Sequence, residues 1–204
     1  MRTTILLVFV CSGGAIAQQG YDNGFLLTAS LDTVPGVIRF SRRSSVPEPC
    51  LFRSAKKAET KEVHPGSVHG FCTADGAYFY SRTLGNGAEV FLEVLVKGYM
   101  NLFKFGGIYY IEKADSAFFE LSHELEVSTA DGRRLAQRSN NYSRMLALMM
   151  SDCEKSAKEA ANTSLRDKAL VRIVVNYNNC KGSSSQLFRV SNRRRQPRDP
   201  VSRR

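Results

Sequence analysis

Val90-Phe91-Leu92-Glu93-Val94-Leu95-Val96, closed by Lys97-Gly98, is the stretch on which the fold turns. A nearly unbroken apolar run of this length reads as a strand buried on both faces, being short for a buried helix. Gly98 breaks the run, Tyr99 to Phe105 alternates, Gly106-Gly107 turns, and Ile108 to Glu112 returns as a hairpin arm. Phe118 to Leu121 is the next candidate for pairing. Upstream, Phe25 to Thr28 and Val37 to Phe40 flank a turn at Asp32-Thr33, with Pro35 ahead of the second strand. Cys50 to Arg53 is a further strand, Lys56 to Glu62 a charged stretch, and Val63-His64-Pro65-Gly66 a turn. Val68 to Thr73 and Ala77 to Ser81 enclose Ala74-Asp75-Gly76, a hairpin tip.

From Asn140 the apolar period becomes helical. Tyr142, Met145, Leu146, Met149 and Met150 form one stripe, with Asn140 or Asn141 as N-cap. Ser151-Asp152 caps a second, short helix over Glu154 to Ala161. Thr163 or Ser164 opens a third, whose stripe is Leu165, Leu170, Ile173, Val174 and Tyr177 and which ends at Asn178-Asn179. Strands first and helices last predict an α+β fold: a mostly antiparallel, twisted or barrel-like sheet followed by a small C-terminal helical unit.

The ends of the chain differ from its body. Arg2, the apolar run Ile5 to Val10 and Ala15-Ile16-Ala17 have the three-part layout of a secretory signal peptide over residues 1–17. The formal charge of +10 is concentrated at the other end. Residues 183–204 carry seven arginines, Arg193, Arg194 and Arg195 among them, against Asp199 alone. Residues 18–182 hold 21 basic and 18 acidic side chains, which is close to balance. Such a terminal segment buries too little apolar surface to fold and is expected to be disordered. It could meet anionic lipid, lipopolysaccharide or an envelope protein, whereas the body gives no reason to expect specific nucleic-acid binding. The organisation read from the sequence is thus signal peptide 1–17, β-rich part 18–139, helical unit 140–182 packed on it, and basic tail 183–204. The mature chain has no apolar segment long enough for a transmembrane helix.

With Cys11 lost in the signal, Cys50, Cys72, Cys153 and Cys180 remain. An even number in an exported chain favours disulfides, and three connectivities are open. An up-down-up helical unit ends its first and third helices on one side, which brings Cys153 to Cys180 and leaves Cys50–Cys72 as the complementary pair. No C-x-x-C is present, and His64, His69 and His123 lack a two-ligand spacing, so neither metal nor cofactor is expected. Asp32-Thr33-Val34 lacks the glycine of an aspartic-protease site and its second copy. Ser67 between His64 and His69 has no acid to complete a relay. The reading is non-enzymatic.

Tyr78, Phe79, Tyr80, Tyr109, Tyr110, Phe118 and Phe119 form an aromatic set on predicted strands. Alternation exposes some of them, so Tyr78, Tyr80 and Tyr110 are candidates for a surface that stacks on a glycan or small ligand. The other role for the set is a thick aromatic core with a tyrosine rim.

The run Leu31-Asp32-Thr33-Val34-Pro35-Gly36-Val37-Ile38, then His64-Pro65-Gly66-Ser67-Val68-His69-Gly70-Phe71, resembles a group of exported Bacteroidota proteins. Phe91 to Gly98, Asn101-Leu102-Phe103, Tyr109 to Lys113, Asp152-Cys153 and Tyr177-Asn178-Asn179-Cys180 continue the likeness over residues 24–182. In that group the region resembles a module ahead of an outer-membrane β-barrel; here the arginine-rich segment stands in the barrel's place. The resemblance implies an envelope interaction or accessory module in the periplasm or at the cell surface, and it carries no catalytic residues. A small-ligand or glycan-binding domain is the alternative, and a hydrolase a more distant third.

Overall fold

A computed structural model describes residues 20–188, apart from 43, 56–57, 114–117, 123–124, 131–132 and 139–140. The expected signal peptide at 1–17 and the residues from 189 onward, Arg193, Arg194 and Arg195 included, lie outside the described residues. The strands are β1 (Asp22–Leu27), β2 (Thr33–Arg39), β3 (Cys50–Arg53), β4 (Lys61–Val63), β5 (Gly70–Thr73), β6 (Tyr78–Thr83) and β7 (Glu89–Lys97). They continue with β8 (Met100–Phe105), β9 (Ile108–Lys113), β10 (Phe118–Leu121), β11 (Leu125–Ala130) and β12 (Arg133–Arg138). Helices α1 (Asn141–Met149), α2 (Glu154–Ala160) and α3 (Asp167–Cys180) follow, and β13 (Gln186–Leu187) closes the described chain.

The architecture is α+β and mostly β. One antiparallel sheet runs β10-β9-β8-β7-β6-β5-β1-β2-β3-β4, β13 pairs with β7, and β11 with β12 forms a separate ribbon. The sheet is open, since β10 and β4 are its two ends, so a closed barrel does not form. It is nonetheless curled. Arg82 of β6 and Glu112 of β9 stand three strands apart, about 14 Å in a flat sheet, yet their side chains meet at 2.8 Å. Lys97, at the far end of β7, likewise lies 5.9 Å from the Tyr80 ring centre.

β7 is buried from Val90 to Val96, as its composition requires of a strand covered on both faces. Its register shifts between Val94 and Val96, a bulge that lets both Leu95 and Val96 join the cluster under the helices. That cluster combines Met100, Leu102, Ile111 and Leu121 of the sheet with Leu146, Met150, Leu170, Ile173, Val174 and Tyr177 of the helical unit. A second cluster on the same face holds Leu26, Ile38, Phe52, Phe71, Phe79 and Phe91, with Phe40 edge-on to the last three rings. Val90, Leu92, Val94, Phe103 and Tyr110 form a third, on the opposite face. Burying each such side chain contributes about 1.5–3 kcal/mol.

Pro35 lies inside β2, where the missing donor does no harm: β1 pairs with it on one side, and β3 reaches only Val37 to Arg39 on the other. α2 and α3 begin after Cys153 and Arg166, neither of which makes a side-chain cap. The expected caps are used otherwise: Thr163 Oγ1 donates to the Glu159 carbonyl at 2.8 Å. Asn178 does not end α3 but lies buried within it.

Cys153 and Cys180 form a disulfide with a Cα–Cα distance of 6.4 Å. The expected Cys50–Cys72 pair does not form, and both are free thiols. The register explains this. β3 and β5 are separated by β2 and β1, about 14 Å of sheet, and the pairings Cys72↔Phe25↔Pro35 and Val37↔Arg53 place Cys72 on the face opposite Cys50. A bridge needs Cα atoms within about 7 Å.

The basic tail expected from residue 183 also begins too early. Gln186 and Leu187 pair with Lys97 and Val96, the Phe188 N–H donates to the Leu95 carbonyl, and the Phe188 ring stacks on Tyr78. One aromatic ring with an open strand edge beside it orders these residues despite their polar neighbours.

Candidate functional site

Tyr78, Tyr80 and Tyr110 all lie on the face away from the helices. The register draws one row across four strands, Tyr78↔Val94↔Phe103↔Tyr110. The row does not make a single platform, because Val94 and Phe103 separate its tyrosines. Tyr78 stacks on Phe188 with ring centres 5.3 Å apart, and Tyr80 hydrogen-bonds His69 Nε2. Tyr110 stacks on Phe118 at 5.2 Å with the planes 7° apart. Burial pushes the phenols of Tyr78 and Tyr110 up to about 12.

Tyr110 lines a cleft of about 440 Å³. Two hairpin tips make its mouth: Leu84-Gly85-Asn86 between β6 and β7, and Gly106 between β8 and β9. Gly106 is needed here. Its φ is +56°, and a Cβ would come within 2.9 Å of the Ser45 backbone. Phe105, Ile108, Tyr110 and Phe118 supply the apolar wall, and Ser45, Asn86 and Glu120 the polar groups. The Asn86 side chain is already engaged, its Oδ1 accepting from the Ala88 N–H at 3.1 Å. Glu120 makes no hydrogen bond or ion pair among the described residues. The volume and the few convergent polar groups fit a small-molecule site.

A second polar constellation lies on the helix face, between the two clusters there. The row Phe79↔Glu93↔Lys104↔Tyr109 crosses it. Lys104 Nζ and the Tyr109 hydroxyl both donate to Asp167 Oδ1, at 2.7 and 2.6 Å, tying the first turn of α3 to the sheet. Arg42 pairs with Asp75 through both carboxylate oxygens and lies over the Phe79 ring. Glu93 stands between these pairs, 9 % exposed, with Oε1 buried and without a hydrogen-bond partner. Burial raises its carboxyl against the pull of Arg42 and Lys104. Each cation already has an anion of its own, and the Asp167 contacts join α3 to the sheet.

Asp152, beside the disulfide, accepts from the Tyr177 hydroxyl at 2.8 Å, Lys181 Nζ at 3.0 Å and Lys113 Nζ at 3.1 Å. Burial pushes its carboxyl up, but these bonds outweigh it and hold it at about 2. Lys113 Nζ also donates to the Met149 carbonyl at the end of α1. The cluster fixes the ends of all three helices near the Cys153–Cys180 bridge. Ser67 takes no part in any relay: its hydroxyl donates to the His64 carbonyl within the turn.

The aromatic composition marked Tyr110 and its surroundings; it did not mark Glu120, Ile108 or Asn86. Asn86 comes in with a hairpin tip, Ile108 stands two residues from Tyr110 on one face of β9, and the β9–β10 register sets Glu120 opposite Tyr110. No helix among the described residues is long and apolar enough to cross a membrane. In comparisons with family models, curated proteins and solved structures, nothing matches this chain.

Proposed function

We propose that the protein is an exported, non-enzymatic accessory domain of the cell envelope that binds a small ligand in the cleft between the β6–β7 and β8–β9 hairpin tips. The observation that carries this reading is the cleft itself: about 440 Å³, walled by the stacked Tyr110 and Phe118 and by Ile108, and holding the unengaged Glu120. A site of this size takes ligands that lay a flat or compact apolar body against the rings and direct one polar group to the rim. Among the described residues of the wall Glu120 is the one titratable acid or base besides the Tyr110 phenol, which favours holding a ligand over transforming it. Export is supported by the Cys153–Cys180 disulfide, which persists in oxidising compartments. The expected signal peptide and the likeness to exported Bacteroidota modules point to the periplasm or the cell surface as the setting.

The test is a fragment and glycan screen by ligand-observed NMR on the wild type, Phe118→Ala and Ile108→Arg. Ile108 is 38 % exposed, so its replacement blocks the mouth without emptying a core. Hits on the wild type that disappear in both variants, with far-UV circular dichroism unchanged, support the reading. Hits retained in both variants contradict it.

A further inference from the structure

We propose that the ligand of this cleft carries an ammonium head, held over the Phe118 ring that stacks on Tyr110, with its charge against Glu120. The inference rests on the cleft being a binding site and names the chemical class it takes. Three observations carry it.

The first is charge. Among the described residues lining the cleft Glu120 is the one charged group, and it is an anion. The described lining offers no cationic side chain to a phosphate, sulfate or carboxylate. The nearby cations on the same face are committed elsewhere: Arg82 pairs with Glu112 at 2.8 Å, and Lys97 lies over the Tyr80 ring.

The second is the state of that anion. Glu112, on the same face, accepts from both Arg82 and Asn101. Glu120 has no such partner among the described residues, so an incoming cation displaces no existing ion pair.

The third is the wall. Aromatic rings present negative π faces, and a cation set against such faces gains most where water is excluded. A neutral sugar would ask for several hydrogen-bonding side chains at once. The rim offers few, since Asn86 Oδ1 is taken by the Ala88 N–H.

The test measures binding of choline and of its neutral isostere 3,3-dimethylbutan-1-ol to the full chain by NMR titration. Nα-acetyl-lysine amide is titrated in parallel. The wild type is expected to bind at least one of the two ammonium probes about tenfold more tightly than the neutral isostere. Glu120→Gln, an exposed and nearly isosteric change, is expected to erase that preference while leaving the thermal midpoint in place. The tighter ammonium probe tells whether the head belongs to a small quaternary amine or to a polypeptide side chain. Equal binding of choline and its isostere, or a preference that survives Glu120→Gln, overturns the cation and leaves the binding cleft standing. Binding of neutral glycans alone, sensitive to Phe118→Ala, has the same meaning. If no probe and no fragment perturbs the cleft, the cation and the binding site fall together.

Discussion

Asn178 brackets the backbone of Met100. Its Oδ1 accepts from the Met100 N–H at 2.7 Å and its Nδ2 donates to the Met100 carbonyl at 3.0 Å, with the side chain fully buried. A side-chain amide on α3 thus takes the hydrogen-bonding place of a neighbouring strand where β8 begins. The same Nδ2 reaches Ser185 Oγ at 2.9 Å, so one residue joins the helix, the β7–β8 turn and the chain that follows α3. Gly98 makes room for it, since a Cβ there would come within 2.4 Å of Nδ2.

Asn178→Ala is therefore expected to cost about 3 kcal/mol, because the Met100 N–H and carbonyl are both left buried without partners. Asn178→Asp keeps the acceptor and loses the donor, and falls between the two. Urea unfolding followed by circular dichroism gives the values. A cost below about 0.5 kcal/mol for the alanine variant would mean that the bracket contributes no more than an ordinary surface contact.

Reduction of Cys153–Cys180 removes a cross-link between residues 27 apart in sequence. In the chain-entropy picture that corresponds to about 3–4 kcal/mol. The helical unit depends on it more than the sheet does. With reductant, helical ellipticity is expected to melt at lower temperature than the strand signal, whereas without reductant the two coincide.

The two free thiols should separate under alkylation. Cys50 is fully buried, and burial pushes its thiol up to about 12; Cys72 is half-buried and raised less. Intact-mass measurement after brief maleimide treatment of the folded, oxidised protein is expected to show one adduct, at Cys72. Two adducts appear only after unfolding. Simultaneous labelling would place Cys50 at the surface and contradict the register of β3.

Acid and neutral stability are governed by groups of opposite sign. The guanidinium of Arg42 holds the Asp75 carboxyl well below the usual carboxylate range, and Asp152 stands at about 2. Depressed folded-state values stabilise the fold above the unfolded pKa of about 4 and lose that contribution as pH falls through the folded values. Stability is thus expected to decline steadily below about pH 4. Arg42→Ala flattens that slope. Glu93 acts in reverse: burial raises its folded pKa, so its ionised form costs stability at neutral pH and the cost vanishes below about pH 4. Arg42 and Lys104 keep Asp75 and Asp167 as partners when Glu93 is neutralised. Glu93→Gln is accordingly expected to raise the melting temperature at pH 7 by about 2–4 °C, and by nothing at pH 3.5.

What could be read from the sequence was what lies in local periodicity. The apolar run at β7, the hairpin tips at Asp75-Gly76 and Gly106-Gly107, and the helical stripes all have a single local meaning, and the Cys153–Cys180 contact follows from helix order. Asn178 shows the limit: beside Asn179 and ahead of Lys181-Gly182 it has the look of a helix end, and its partner Met100 is 78 residues away. The Cys50–Cys72 pairing failed because parity across intervening strands decides which face a residue occupies, and parity needs the register. β11 and β12 lack a strong alternating pattern, and β13 is ordered by Phe188 meeting Tyr78, a contact between residues 110 positions apart. The cleft was half legible: Tyr110 was marked by composition, whereas Glu120 is an ordinary surface acid until the β9–β10 register sets it opposite Tyr110.

The most direct measurement of the central claim is a titration of protein carrying ¹³C-labelled Phe and Tyr rings with the fragments found to bind. The account predicts that Phe118 and Tyr110 shift together and saturate with one dissociation constant, while Tyr21 and Tyr99, which do not line the cleft, stay in place. Shifts confined to Tyr21 or Tyr99, or saturable binding with Phe118 and Tyr110 unmoved, would contradict it.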